Sequence, residues 1–145
     1  MKVSDILRKK PSEVFTIRPE QSLLDACQLL ASKNVGALVV VDDHHTPVGI
    51  VSERDIVRQL ATRAASPKSL KVGNVMTKEL LIALPDDDIA YVSNTMTHKR
   101  IRHLPVLQDG KLVGIVSIGD VVKAQLDYFE GEARTLQQYI NGGYA

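Results

Sequence analysis

Two copies of one short motif carry the residues best suited to bind a ligand. GIVSERD at residues 49–55 and GIVSIGD at residues 114–120 are identical at five of their seven positions. In each copy a Ser hydroxyl stands three residues before an Asp carboxylate, which can accept hydrogen bonds from the paired hydroxyl groups of a sugar. The Ser hydroxyl and the free N–H groups of a helix start suit sugar or phosphate oxygens. The same spacing also forms a helix capping box, and the two roles are compatible.

The motif belongs to a repeat that covers almost the whole chain. Val35 and Ile101 occupy matching positions in the two halves, and Gly49 and Gly114 open the two motifs. The two glycines are one residue closer together in the sequence than Val35 and Ile101 are, because the first half has one extra residue in the polar run DDHHTP. Extra length costs little free energy in a hairpin loop. The repeat therefore predicts two similar folding units in tandem.

Each half predicts the element order β-α-β-β-α behind a short helical turn. Helical periodicity places helices over 22–34 and 87–100, with Ser22 as an N-cap. The run ALVVV is apolar throughout, as in a strand buried on both faces, and Asp-Gly in the run QDGK indicates a hairpin turn. The other predicted elements are helical turns at 3–7 and 72–76, first strands at 14–17 and 80–84, hairpin strands VGIVS, HLPVL and LVGIVS, and closing helices over 53–65 and 119–140.

The amino-acid composition limits the classes of protein to which the chain can belong. Of 145 residues, 44% are hydrophobic but only 4% are aromatic, so the core must be aliphatic. The 18 basic and 17 acidic residues nearly balance, which argues against a general nucleic-acid binder. Cys27 is alone, so neither an intrachain disulfide nor a Cys-based zinc site is expected, and we predict a buried, inert thiol. No apolar run reaches the ~20 residues of a membrane span and the N-terminus does not resemble a signal peptide, so we expect a soluble, cytoplasmic protein.

Catalytic signatures do not stand out in the sequence. There is no recognisable Ser/His/Asp or Cys/His arrangement, and neither a P-loop nor a G-x-G-x-x-G motif. His44 and His45 lie beside two acidic residues, but adjacent side chains do not easily face one metal ion. We therefore predict neither an enzyme nor a metal site.

Two β-α-β-β-α units, each with G-h-[VI]-[ST]-x-x-D before its last helix, resemble a tandem pair of CBS (cystathionine β-synthase) domains, also called a Bateman module. The runs NVGALVVVD and RIRHLPVLQDG add to the resemblance, which covers residues 1–127. It implies an α/β (α+β) fold of two CBS repeats packed about a pseudo-twofold axis with a cleft on each side. The implied divisions are a first CBS domain at 1–65, a linker at 66–70, a second CBS domain at 71–127 and a C-terminal helical tail at 128–145.

The resemblance also implies a function. CBS pairs bind adenosine-containing nucleotides such as AMP, ADP, ATP or NAD as regulatory ligands rather than catalytic cofactors, and they signal to a protein partner that the sequence does not identify. They commonly pair into disk-like homodimers. The alternative is a protein-interaction module whose clefts are vestigial.

Ligand-binding residues carry over from the family by position. The residues assigned to the first cleft are Phe15, Thr16, Val35, Gly36, Ala37, Ile50, Ser52, Arg54 and Asp55. The residues assigned to the second cleft are Leu81, Ile82, Ile101, Arg102, His103, Pro105, Ile115, Ser117, Ile118, Gly119 and Asp120. The apolar members would form the adenine slot, and ordinary core packing is the alternative for each of them.

The two predicted clefts differ in phosphate chemistry. Arg102 and His103 follow Ile101 where some members of the family place basic residues against phosphate, whereas Gly36 and Ala37 offer no charge. Arg can bind phosphate through a fork of donors. On this grouping the cleft with Asp120 should bind adenosine phosphates more tightly than the cleft with Asp55.

The C-terminal tail carries an apolar stripe at helical spacing, formed by Leu126, Phe129, Ala133, Leu136 and Ile140. Gly131 interrupts it at a cost of roughly 1 kcal/mol against Ala, so a kink or break is one expectation. The stripe must be buried against the rest of the chain or against a second subunit. The family's pairing favours the second subunit, and we predict a homodimer.

Overall fold

The computed structural model describes residues 1–10, 13–62 and 66–141. In chain order the elements are α1 (Val3–Lys9), β1 (Thr16–Ile17), α2 (Leu23–Lys33), β2 (Ala37–Val41), β3 (Pro47–Ser52), α3 (Glu53–Thr62), α4 (Val72–Val75), α5 (Ile89–Lys99), β4 (His103–Gln108), β5 (Lys111–Ser117) and α6 (Ile118–Ile140). The predicted order of elements is confirmed apart from one strand. Residues 63–65, at the predicted end of the first closing helix, lie outside the described residues.

The first repeat has a three-stranded sheet in the order β1-β2-β3. Strand β1 pairs parallel to β2, and β2 pairs antiparallel to β3 with Val39 opposite Ile50. All five residues of β2 are buried, as the unbroken apolar run predicts. Ser22 caps α2 as predicted, because its side chain accepts a hydrogen bond from the Asp25 N–H.

The second repeat has a sheet of only two named strands, β4 and β5. The predicted strand at 80–84 is reduced to one residue, since Ala83 forms a parallel bridge with Val106 of β4 but no strand of greater length is present there. In the first repeat the N–H of Val39 donates to the carbonyl of Phe15 at 3.4 Å. The residue that matches Val39 is Pro105, which has no N–H, so this rung of the ladder cannot form.

Each opening helix packs onto the other repeat. Val3 and Ile6 of α1 belong to the core of the second repeat, together with the buried faces of α5, β4, β5 and α6. Val72 and Val75 of α4 belong to the core of the first repeat. This crosswise packing joins the two repeats and brings the segment after each opening helix against the ligand motif of the other repeat.

The glycine that opens each motif allows this close approach. A Cβ at Gly49 would lie 2.7 Å from Met76 Sδ and 2.9 Å from the carbonyl oxygen of Thr77. A Cβ at Gly114 would lie 2.6 Å from Cδ2 of Leu7. Because neither glycine has a side chain, the segment from the opposite repeat can pack closely against both motifs.

Three Gly→Ala variants test how much space a side chain would have at each glycine. Gly49→Ala should destabilise the protein by about 1–3 kcal/mol, because a backbone oxygen must move away from the new methyl group. Gly114→Ala should cost less, since only the flexible end of Leu7 must move. Gly131→Ala has open space around it and should stabilise α6 by up to about 1 kcal/mol. Urea unfolding measures all three, and equal stability of Gly49→Ala and the wild type would contradict the prediction.

Three further observations concern the sequence-based predictions. Helix α6 runs unbroken through Gly131, so the expected break is wrong; neighbouring hydrogen bonds carry the helix across one glycine.

Cys27 is only half-buried rather than fully buried, because it lies at the edge of the first core. Across the described parts of the chain, no helix is both long enough and apolar enough to span a bilayer.

Candidate functional site

A cavity of about 380 Å³ lies between the two repeats. The motif of the first repeat forms one side through Ile50, Ser52 and the start of α3. The opposite side comes from the second repeat, through the segment after α4 and the segment that joins α5 to β4. This volume is within the range of small-molecule sites in proteins.

Asp55 is held in place by the turn that leads from β3 into α3. Its carboxylate Oδ2 accepts hydrogen bonds from the N–H of Ser52 at 2.9 Å and from the hydroxyl of Ser52 at 3.0 Å. The Asp55 N–H points back to the Ser52 hydroxyl at 3.3 Å. The capping-box interpretation of this motif is therefore correct. A carboxylate has acceptor sites beyond those that the cap uses, so the cap leaves capacity for a ligand.

Apolar side chains from both repeats line the same cavity. Ile50 comes from β3, and Leu81 and Ile101 come from the second repeat. The backbone of Ile50 is fixed by a two-bond bridge, in which its N–H donates to Thr77 O at 3.1 Å and the Thr77 N–H donates to Ile50 O at 2.9 Å. The bridge ties Ile50 to the second repeat, from which the other two apolar residues come.

Positive charge predominates around the cavity. The lining includes five cationic side chains and three acidic ones: Arg54, Arg58, Lys99, Arg100 and Arg102 against Glu53, Asp55 and Glu79. The excess of two positive charges favours an anionic ligand. Three of the five cations come from the second repeat and two from α3, so both repeats contribute to the positive charge.

His103 lies where the two repeats meet. A Cβ at Gly36 would lie 3.2 Å from the His103 Nε2, so Gly36 leaves room for the imidazole. Burial lowers the pKa of His103 below its ordinary value; the charges of Asp120 and Glu53 oppose this shift, while those of Lys10 and Arg102 add to it. The lowered pKa favours the neutral imidazole at pH 7.

The structure places Arg102 and His103 beside the motif of the first repeat, although the charge of Asp120 also acts on His103. Arg102 and His103 were assigned with Asp120, but they line the cavity that contains Asp55. The reason is the crosswise packing, which turns the start of β4 toward the motif of the first repeat. The cavity includes six residues that were not selected from the sequence: Glu53, Arg58, Thr77, Glu79, Lys99 and Arg100. Helical spacing places Arg58 one turn beyond Arg54, a signal that was available.

The other selected residues lie outside this cavity. Phe15 and Val35 pack against the first core, Ala37 is buried in β2, and Thr16 pairs with Val39. Ile82 is exposed. In the second repeat, Pro105 pairs with Ile115, the Ile118 N–H donates to Arg102 O, Ser117 caps α6, and Gly119 is exposed in its first turn.

Asp120 has the same cap as Asp55 but a different environment. Its Oδ2 accepts a hydrogen bond from the Ser117 N–H at 2.9 Å, as in the first motif. It also accepts one from Lys10 Nζ at 2.8 Å, and the same Nζ donates to Ile115 O at 2.8 Å. Lys10 was not selected from the sequence. The two motifs are therefore alike in fold and unlike in charge.

A CBS domain family model matches the chain twice, at residues 3–62 and 72–127. The chain belongs to the CBS domain family. This confirms the resemblance on which the fold of two CBS repeats was predicted. Proteins of this family that consist of a CBS pair are regulatory modules.

Similar proteins agree with the assignment. The chain is 37% identical to the mitochondrial CBS domain-containing protein CBSX3 of Arabidopsis thaliana, over 98% of this chain and 73% of that protein. The CBS-domain containing protein ATU1752 of Agrobacterium tumefaciens has a similar crystal structure, with a TM-score of 0.83, 37% identity, and coverage of 86% of this chain and 99% of that one.

Two further solved structures bear on ligands and assembly. The CBS pair of protein MJ0100, described in complex with 5-methylthioadenosine and S-adenosyl-L-methionine, is 27% identical with a TM-score of 0.72, over 91% of this chain and 98% of that one. A hexameric CBS-CP12 protein from bloom-forming cyanobacteria is 28% identical with a TM-score of 0.76, over 94% of this chain and 86% of that one.

Proposed function

We propose that this CBS pair is a regulatory module that binds an adenosine-containing ligand in the cavity of Asp55 and signals its presence to a protein partner. One observation carries the proposal: a single cavity combines an apolar slot, a fixed carboxylate and an excess of cations. Each of the three matches one part of an adenosine phosphate. AMP, ADP, ATP and NAD all contain those three parts.

The adenine ring would occupy the apolar part of the cavity, between Ile50, Leu81 and Ile101. The ribose would donate its two hydroxyl groups to the carboxylate of Asp55, which accepts without donating. The phosphate would lie against the guanidinium groups, chiefly Arg102, since Arg binds phosphate through paired N–H donors. His103 would gain a proton beside a phosphate, because a nearby negative charge raises the pKa of an imidazole.

The complex of MJ0100 supports the adenosine part of this proposal. Its two ligands, 5-methylthioadenosine and S-adenosyl-L-methionine, share adenine and ribose and lack a phosphate. The cation cluster in the present cavity is the reason to propose a phosphorylated ligand here. The role is that of a sensor rather than an enzyme, and we place it in the cytoplasm as the sequence predicts.

Thermal unfolding with two nucleotides tests the proposal. AMP at a hundredfold excess over its dissociation constant should stabilise the protein by about 2.7 kcal/mol, because it binds only the folded state. CMP, which has the same ribose and phosphate, should give a much smaller shift. Equal shifts would show that phosphate alone is bound and would contradict the adenine slot.

A second measurement separates this function from the alternative of an interaction module with vestigial clefts. Heat-denatured protein should release any nucleotide retained from its source, which absorbs near 260 nm. The chain has no Trp and only 4 Tyr, so its own absorption is weak. No released nucleotide together with no AMP shift would favour the interaction module.

A further inference from the structure

The two clefts are related by the pseudo-twofold axis, yet their carboxylates have different partners. Asp55 is bound by the N–H and hydroxyl of Ser52. Among residues 1–10, 13–62 and 66–141, no ion pair to Asp55 is formed. Asp120 forms an ion pair with Lys10, from the segment that follows α1. One cleft thus has a carboxylate that is not paired with a cation among these residues, whereas the other already contains a cation.

Lys10 occupies two acceptors at once. Its Nζ donates at 2.8 Å to the Asp120 carboxylate and at 2.8 Å to Ile115 O in β5. The side chains of Lys10 and Asp120 are only 28% and 25% exposed, so solvent screens this pair less than a surface pair. Burial alone would raise the pKa of Asp120, but hydrogen bonds from Lys10 and Ser117 hold it below its ordinary value. The carboxylate is thereby kept charged and occupied.

The corresponding position in the other cleft carries the opposite charge. Leu7 and Met76 are equivalent, since each contacts the glycine that opens the opposite motif. Lys10 follows Leu7 by three residues, and Glu79 follows Met76 by three residues. Glu79 lines the cavity of Asp55. An anion there cannot neutralise the Asp55 carboxylate, so that carboxylate remains available to hydroxyl donors.

We propose that Lys10 acts as an internal cation that closes the Asp120 cleft, so that each chain binds one adenosine ligand, at Asp55. The ribose of a ligand and the ammonium of Lys10 compete for the same carboxylate, and the ammonium already neutralises its charge. The residue therefore determines which of two similar clefts is a binding site. This inference rests on the proposed function, because it concerns the ligand of the same module.

Calorimetry with AMP on the full chain tests the role of Lys10. The wild type should bind one AMP per chain, and Lys10→Met should bind two. Lys111→Met, the same change at an exposed lysine of β5 that lines neither the Asp55 nor the Asp120 cleft, should keep one. In the Lys10→Met background, Asp120→Ala should remove the second site and leave the first.

The outcomes separate the two proposals. No binding to any variant would overturn the proposed function and this inference with it. One AMP per chain in both the wild type and Lys10→Met, or two in the wild type, would overturn only the role of Lys10. A wild type with two sites of which Lys10→Met loses one would show that Lys10 binds the ligand instead of excluding it.

A variant at Glu79 keeps the inference testable even if Lys10→Met folds poorly. Glu79→Lys places a cation at the position in the Asp55 cleft that Lys10 has in the other. It should weaken AMP binding at least tenfold although it adds positive charge near a phosphate. Glu79→Gln, which removes the anion without adding a cation, should weaken binding less than Glu79→Lys does. Tighter AMP binding by Glu79→Lys would overturn the inference.

Discussion

Replacing Asp55 with Ala should weaken AMP binding by about 10- to 150-fold, and the same change at Asp120 should leave the affinity nearly unaltered. The factor corresponds to the roughly 1.5–3 kcal/mol of hydrogen bonds to a charged group. The asymmetry follows from the cavity, which contains Asp55, Arg102 and His103 together. The carboxylate of Asp120 is already paired with Lys10.

The Asp120 variant is a matched control for folding. Both carboxylates accept a hydrogen bond at 2.9 Å from the backbone N–H of the motif's Ser, so each variant loses the same helix cap. A lost cap costs about 1 kcal/mol of stability, which unfolding curves will show for both proteins. Asp120→Ala also breaks the ion pair with Lys10, so a greater loss of AMP affinity in Asp55→Ala cannot come from a greater loss of charge pairing and reports the contact to the ligand. Equal losses of affinity, or a larger loss for Asp120→Ala, would contradict the assignment.

Adenosine separates the ribose contact from the phosphate contact. Asp55→Ala should weaken adenosine and AMP by about the same factor, because both contain the ribose. Arg102→Ala should weaken AMP and leave adenosine unaffected, since only AMP has a phosphate for the guanidinium group. Isothermal titration with both ligands measures the four affinities. An equal effect of Arg102→Ala on the two ligands would show that Arg102 does not contact the phosphate.

The local elements were predictable because they depend on nearest neighbours. The apolar run of β2 predicted burial on both faces, and Ser22 predicted the start of α2. The Ser and Asp of the motif predicted both the cap and the carboxylate that faces the cavity. Each of these rests on spacing within a few residues, where the physical rule acts directly.

The composition of the cavity could not be predicted in the same way. It depends on the packing of α1 and α4 onto opposite repeats, and helical or strand periodicity does not say which core a short helix joins. Aligning the two repeats therefore identified equivalent residues. It assigned each cleft to residues of a single repeat, whereas residues of both repeats line the cavity. The shortening of the strand at 80–84 has a similar origin, because Pro105 removes a donor on the neighbouring strand. Lys10 was missed because its partner lies in the opposite repeat.

Helix α6 extends as a single helix of 23 residues, well beyond the core of the second repeat. Only Val121 and Ala124 near its start are buried. The predicted stripe is exposed along the rest of the helix, with Leu126 at 57%, Phe129 at 60% and Leu136 at 62% exposure. An isolated helix end with an apolar face gains stability when that face is covered. Among the described residues α6 does not fold back on the chain to bury it.

We therefore expect the protein to form a homodimer through this stripe, and Leu136→Asp to dissociate it. Multi-angle light scattering at micromolar concentration should give twice the single-chain mass of 15.9 kDa for the wild type and 15.9 kDa for the variant. An Asp within a buried apolar contact leaves a charge without a partner, which costs several kcal/mol and so shifts the dissociation constant by two or more orders of magnitude. Gln138→Asp adds the same charge about 200° around the helix, on the opposite face, and should leave the dimer intact.

The monomer should tolerate Leu136→Asp, because the residue is exposed within one chain. An unchanged circular dichroism spectrum outside the tail would show that only association was lost. A wild-type mass of one chain would contradict the dimer, and a mass of six chains would place this protein with the hexameric CBS-CP12 assembly instead. A dimer that persists in Leu136→Asp would show that other surfaces hold the subunits together.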